Sequence, residues 1–353
     1  MAIKITKSHT LKKKPVDEST LGFGKIFSDH MLIMHYKDGQ WGPVEIKPYG
    51  NLELDPACCS LHYGQLIFEG MKCYSTKEGL QLFRPRENFK RMNRSAERMV
   101  MAQIDIDIVM EGLKELLRIE KDWVPTSKGT ALYIRPTMIG SEAFLGVHPS
   151  NEYIFYIIVG PVGAYYAEGF APIKIMVEDK YVRAVAGGVG NAKTAGNYAA
   201  SMKSGLEAAK KGFSQVLWLD GKERKYVEEV GAMNMMFVLD GKVITAALDE
   251  GSILPGITRD SVIQLLKKKG IPVEERKLSI DEVIAGAKDG KLSEAFGTGT
   301  AAVISPVGSI TYKDQTYEIN NNKIGKITQE LYDELTGIQT GDLEDTFGWV
   351  EKV

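Results

Sequence analysis

The sequence predicts a mixed α/β fold, α+β in the grouping of its elements, divided into two domains. Three observations carry this. The chain has 353 residues with 44% hydrophobic content, enough to bury a large core and to form more than one domain. Segments with the apolar spacing of helices are interspersed with short runs of β-branched and aromatic residues. A Gly-containing stretch, Gly160 to Gly169, separates two sets of such runs, giving expected domains at residues 1–160 and 173–353 with a connector at 161–172.

Residues 1 to about 20 are polar and read as extended chain laid over another part of the molecule. The apolar run Met31 to Met34 marks a buried strand closed by the turn Lys37-Asp38-Gly39, with a second strand following. Ser60 to Gly70 has loosely helical spacing and ends in glycine, which predicts a short helix. Lys72 to Tyr74 and Leu80 to Phe83 read as a hairpin around Lys77-Glu78-Gly79. In Arg86 to Met99, the residues Phe89, Met92, Ala96 and Met99 repeat at helical spacing, so an amphipathic helix carries Lys90, Arg91 and Arg94 on its other face. Val109 to Lys121 forms a further helix burying Val109, Leu113, Leu116 and Leu117. Thr130 to Met138 and Tyr153 to Val159 are strands by composition. Beyond the connector, strands are expected at Ile173 to Val177, Gln215 to Leu219, Met235 to Leu239 and Lys242 to Thr245, with a helix at Asn197 to Lys211. A helix from Arg259 to Lys269 stops at Gly270, Ser279-Ile280-Asp281-Glu282 is a capping box opening another, and Lys323 to Leu335 forms the last.

A net charge of -2 points to no polyanion partner, so neither nucleic acid nor a membrane surface is expected. Three cysteines, Cys58, Cys59 and Cys73, form no CxxC pair, which argues for a reducing compartment and against a thiolate metal site. The N-terminus has no apolar signal region and no apolar run approaches membrane-spanning length, so a cytoplasmic location is expected. The five histidines all lie in the first half without metal-ligand spacing, and no metal is expected.

If chemistry is centred on the second half, no histidine is available there as a base and a lysine is the natural replacement. Gly187 to Tyr198 places one lysine, Lys193, among glycines and small residues, where it can form a Schiff base with a carbonyl. Pyridoxal phosphate is a cofactor that asks for such a lysine, and it also needs phosphate anchors and a partner for its ring nitrogen. Leu254-Pro255-Gly256-Ile257-Thr258-Arg259 runs into a helix, so the Ile257 and Thr258 amides can face an anion; Thr258 can equally be a plain helix cap. Gly297-Thr298-Gly299-Thr300-Ala301-Ala302 is a second hydroxyl-bearing loop. Glu228-Glu229-Val230-Gly231-Ala232-Met233-Asn234 sets a carboxylate before a small turn, suited to a pyridine nitrogen.

The order of Lys193-x-x-Gly196-Asn197-Tyr198, Glu229-Val230-Gly231-x-Met233-Asn234, Leu254 to Arg259 and Gly299-Thr300-Ala301 closely resembles the branched-chain amino acid aminotransferases, of pyridoxal phosphate fold type IV. Phe27 to Met31, Leu61-His62-Tyr63, Phe68-Glu69-Gly70, Phe83-Arg84-Pro85, Arg91 to Ala96 and Tyr133-Ile134-Arg135-Pro136 extend the resemblance from about residue 20 to the end. It implies a smaller N-terminal α/β domain, a larger domain with a barrel-like sheet, and a homodimer. It implies Lys193 as catalytic lysine, Tyr198 at the ring hydroxyl, Glu229 at the ring nitrogen, and Arg91, Ile257, Thr258 and Thr300 at the phosphate. Phe23, Tyr63, Phe68 and Tyr133 would line the substrate side, with Ala232, Ala301 and Ala302 giving close backbone approach and Arg135 meeting a distal carboxylate. The implied substrates are leucine, isoleucine and valine with 2-oxoglutarate and glutamate. A weaker resemblance to D-amino acid aminotransferases and aminodeoxychorismate lyases gives the competing enzymes, and a phosphate binder built on the Gly-rich loops gives the competing class. Ala302 and Ser305 stand where mammalian relatives carry a CxxC pair, so no thiol switch is expected there.

Overall fold

A computed structural model describes residues 3–163 and 169–353. The expected connector 161–172, with Tyr165 and Tyr166, therefore lies partly outside the described residues. The chain forms two compact units: Met1–Tyr165 with Ala192–Ala195 and Gly337–Val353, and Tyr166–Asn191 with Gly196–Thr336.

The first unit is built on a ten-stranded sheet. Its long central strands, Ala131–Gly140 and Tyr153–Val162, pair antiparallel along their whole length. Alternation sorts their side chains. Leu132, Ile134, Met138, Phe155, Ile157 and Val159 join Leu32, Met71 and Leu82 in a core closed by Phe89, Met92 and Ala96 of helix Pro85–Arg98 and by Val109, Leu113 and Leu116 of helix Ile106–Ile119. Tyr133, Arg135 and Thr137 consequently lie on the other face, where Lys72 is the direct cross-strand partner of Tyr133.

That second face holds a buried cation. Burial lowers the Lys72 ammonium from 10.5 to about 8. Between these values the unfolded chain carries the proton and the folded chain does not, so this group makes stability rise with pH by an amount on the order of 3 kcal/mol. Lys72→Met is expected to remove that part of the rise between pH 8 and 10.5 in urea unfolding; an unchanged slope would contradict the assignment.

The N-terminal segment is tied down rather than regular. The Lys12 amide donates to Asp29 Oδ1 at 2.7 Å, and Lys12 Nζ donates to the carbonyls of Phe27 and Ser28. A side chain at Gly160, the cross-strand partner of Tyr133, would collide with the Ile26 carbonyl. This bare position lets the segment carrying Phe23 pass close to the sheet.

The helix expected over Ser60 to Gly70 is only half present. Cys59–Tyr63 is helical and ends at Gly64 with φ +64°, after which Leu66–Phe68 pairs with the strand at Thr137 to Ile139. The last helix runs Lys326–Thr340, later than expected, and Val350–Lys352 adds an unexpected edge strand against Gln81 to Phe83.

The second unit contains a closed six-stranded barrel. Gln215–Leu219, Ile173–Glu178, Val303–Tyr312, Leu292–Gly299, Met233–Leu239 and Val227–Val230 follow one another around it, and the last pairs with the first. Ile175, Val177, Leu217, Leu219, Val230, Met235 and Phe237 contribute to its core, which helix Ile280–Lys288 extends through Val283. The capping box is formed as expected, with Ser279 Oγ accepting from the Glu282 amide at 3.1 Å.

Candidate active site

In the first unit the backbone of Lys193 is fixed on both sides. Its N–H donates to Ser95 Oγ at 2.9 Å and its carbonyl accepts from the Phe68 amide at 3.0 Å. Thr194 adds a hydroxyl bond to the Leu66 carbonyl at 2.7 Å. The lysine is thus stitched to the short strand Leu66–Phe68, and its Nζ lies 4.8 Å from the centre of the Phe68 ring.

Arg135 lies over the same ring, at 4.8 Å, and its Nη2 donates to Tyr133 Oη at 3.0 Å. Phe23 meets Tyr133 edge to face, with centroids 4.8 Å apart. A side chain at Gly70 would collide with the Tyr133 hydroxyl. Phe23, Phe68, Tyr133, Arg135 and Lys193 therefore form one group. Tyr63 stands apart, 45% exposed at the end of its short helix with His62 as ring neighbour.

Arg91, expected on the helix face opposite the core with Lys90 and Arg94, is instead buried in a bidentate pair with Glu69, the chain neighbour of Phe68: Nε to Oε1 at 2.7 Å and Nη2 to Oε2 at 2.8 Å. Asn88 donates to the same carboxylate at 2.8 Å. Burial alone would raise the Glu69 carboxyl, but Arg91, with help from Lys193 and Asn88, outweighs it and holds Glu69 below the usual range. Glu69 was legible only as part of a Phe-Glu-Gly motif; its adjacency to Phe68 was the available signal.

In the second unit a bulge governs the carboxylates. Val227 pairs with Leu219 and Val230 with Leu217, so Glu228 and Glu229 together oppose the single residue Trp218. Both Val side chains join the core and both glutamates turn away from it. Glu229 Oε1 accepts from the Leu254 amide at 2.8 Å, and Asn234, its cross-strand partner, donates to the Leu254 carbonyl at 2.9 Å. One residue's backbone is clamped at both ends. This clamp sets the start of helix Ile257–Lys268, whose N-cap Gly256 offers no capping side chain and cannot take one, since a Cβ would collide with Asn234 Oδ1. Two motifs that were separate in the sequence are thus one structural device.

Thr258 is buried in the first turn of that helix. Tyr198 is half-buried on helix Ala195–Lys210. Thr300, Ala301 and Ala302 form the three-residue turn joining strands Leu292–Gly299 and Val303–Tyr312, where Val303 takes φ +61°, a region that β-branched residues rarely adopt. Ala232 is exposed in the two-residue turn after Val230, where Gly231 has φ +57°. Sequence reasoning missed Arg183, whose Nε lies 3.2 Å from Glu229 Oε2. No motif surrounds it, so nothing in the sequence pointed to it.

Among the described residues no cluster of three or more His, Cys, Asp or Glu could hold a metal ion, and no helix is long and apolar enough to cross a membrane. Residues 66–310 match the class IV amino-transferase family. The chain is 54% identical over 353 residues to branched-chain-amino-acid aminotransferase 2 of Bacillus subtilis (strain 168), covering 99% of this chain and 97% of that protein. Among solved structures, the Escherichia coli branched-chain amino acid aminotransferase superposes with a TM-score of 0.76 at 29% identity, over 92% of this chain and 99% of that one. The T.th. branched-chain amino acid aminotransferase complexed with N-(5'-phosphopyridoxyl)-L-glutamate superposes with a TM-score of 0.73 at 28% identity, over 90% and 98%.

Proposed function

The chain belongs to the class IV aminotransferase family, and on that premise we propose that it is a branched-chain amino acid aminotransferase exchanging amino groups between leucine, isoleucine or valine and 2-oxoglutarate. The observation that carries this is the likeness to the Bacillus subtilis enzyme at 54% identity along 99% of the chain. It does not favour the D-amino acid or lyase readings.

The donor set fits pyridoxal phosphate. In the first unit Lys193 offers an amine and Arg91 a cation; in the second, Glu229 offers a buried carboxylate. The helix at Ile257 begins without a capping side chain, and Thr298 Oγ1, two residues before Thr300, is buried without a hydrogen-bond partner among the described residues. When bound, the cofactor supplies an electron sink for the bond broken at substrate Cα. Lys193 Nζ would carry the cofactor and then move the α-proton. Arg91, kept rigid by Glu69, would meet the phosphate, as would Ile257, Thr258 and Thr300. Glu229 would hold the proton on the ring nitrogen, and Tyr198 would donate to the ring hydroxyl. Phe23, Phe68 and Tyr133 suit a branched aliphatic side chain, and Arg135 the distal carboxylate of 2-oxoglutarate; Tyr63, apart from this group, would not line the pocket from within its own chain. Ala232, Ala301 and Ala302 leave room for the substrate to approach the backbone.

The test is a reaction mixture of the protein, pyridoxal phosphate, L-leucine and 2-oxoglutarate. Glutamate should appear together with the leucine-derived 2-oxo acid; no product with any of the three amino acids would defeat the proposal.

A homodimer in the cytoplasm accompanies this reading. Leu61, Tyr63, Phe144, Leu145 and Val147 are exposed large apolar residues. The Phe144 amide bonds to the Ala57 carbonyl and Cys58 bridges Ala143, which joins the two segments into one patch suited to a second copy. Leu145→Glu with Val147→Lys is expected to yield monomers by light scattering; an unchanged dimer would place the interface elsewhere.

A further inference from the structure

Glu228 is a buried acid that the proposed reaction does not use. It shares the bulge with Glu229, and the two are 5% and 3% exposed on the same side of the barrel wall. Two adjacent carboxylates there repel one another and compete for whatever cation is near.

That cation is Arg183. Its Nη2 donates to the carbonyls of Gly190, at 3.3 Å, and Ser252, which fixes the guanidinium in place. Its Nε faces Glu229 Oε2 at 3.2 Å, an ion pair without the alignment of a hydrogen bond. The second acid acting on Glu228, besides Glu229, is Asp220. Burial would raise Asp220, but the amides of Lys222, Glu223, Lys225 and Tyr226 outweigh it and keep this carboxylate charged without using Arg183.

Glu228 has much poorer support. The Ser252 hydroxyl donates to its Oε1, while Oε2 is buried with no hydrogen-bond partner among the described residues. A charged oxygen at that point would lack any donor, which costs far more than a neutral hydroxyl in the same place. We propose that Glu228 is held uncharged, leaving the Arg183 cation to Glu229, so that Arg183 and Glu228 are positioning residues for the carboxylate that meets the cofactor ring. Burial pushes the Glu228 carboxyl up, Ser252 and Arg183 oppose this, and Glu229 and Asp220 add to the rise. The functional part of the inference rests on the reading of Glu229 given above; the protonation of Glu228 does not.

The first test is made on cofactor-free protein at pH 8. The infrared difference spectrum between wild type and Glu228→Gln should contain the band of a protonated carboxyl; a carboxylate band in its place overturns the proposal. A second readout is stability. The folded chain keeps the Glu228 proton to higher pH than the unfolded chain, so wild type loses stability relative to Glu228→Gln as pH rises from 4 to 8. The urea midpoint of the variant should gain on wild type over that interval, and a falling difference would overturn the proposal. For positioning, Arg183→Met should weaken pyridoxal phosphate binding by roughly tenfold or more, with partial recovery in Arg183→Lys. Unchanged affinity in Arg183→Met would remove Arg183 from the role. Failure of wild type to bind pyridoxal phosphate at all would instead sink the reading of Glu229 and leave the infrared result standing.

Discussion

Replacing Lys193 by alanine is expected to abolish transamination while leaving the fold intact. The backbone contacts that place this residue, to Ser95 Oγ and from the Phe68 amide, do not involve its side chain and survive the substitution. The lost chemistry is large. A positioned acid or base alone contributes about 10²–10⁴-fold, and the proposed role adds attachment of the cofactor to the same amine. Steady-state turnover and thermal unfolding of Lys193→Ala should therefore separate, the first lost and the second nearly unchanged. Near-normal turnover would sink the assignment.

The second large effect is expected at Glu69. Its carboxylate is fully buried and binds Arg91 through both oxygens. Glu69→Gln leaves a buried guanidinium without its counter-charge, a change that costs about 3–5 kcal/mol. Urea unfolding at pH 7 should show that loss, and cofactor affinity should fall with it because Arg91 is no longer held in place. Adding Arg91→Met should recover part of the stability but none of the affinity. The pH dependence has a definite sign. Glu69 is held below the usual range in the folded state, so its contribution is complete above the unfolded value of about 4.3 and is lost as pH falls through the folded one. Glu69→Gln should accordingly be less sensitive to acid than wild type, and an equal or greater acid sensitivity would contradict this account.

Local pattern made some of this architecture legible. The composition of residues 130–138 marked a strand and the helical spacing of Phe89, Met92 and Ala96 marked the core face of a helix, but Arg91, expected on the other face with Lys90 and Arg94, is buried, as Asn88 and Ser95 are, in its pair with Glu69. What was missed had a physical cause. Gly297 to Gly299 reads as part of a loop because glycine and threonine stand in place of an apolar pattern, yet it ends Leu292–Gly299, an interior barrel strand satisfied by pairing on both edges. Val227–Val230 reads as polar because its two glutamates occupy a bulge, which defeats any period-two pattern. Leu66–Phe68 looks helical by spacing, but Gly64 ends the helix and the strand is fixed by partners distant in sequence.

The site divides in the same way. Lys193 and the Leu-Pro-Gly-Ile-Thr-Arg run were visible as motifs because glycine and small residues are required there by the backbone. The clamp of Leu254 between Glu229 and Asn234, the pairing of Glu69 with Arg91, and the place of Arg183 all depend on contacts between segments far apart in the chain. Spacing within one segment carries no trace of them.

The central claim is a half-reaction on a lysine-bound cofactor, and an absorbance spectrum tests it most directly. Purified protein supplied with pyridoxal phosphate should show a band near the visible edge that shifts when L-leucine is added without an acceptor and returns on addition of 2-oxoglutarate. A cofactor band that L-leucine, L-isoleucine and L-valine all leave unmoved would contradict the proposed activity, and no band at all would contradict the role given to Lys193.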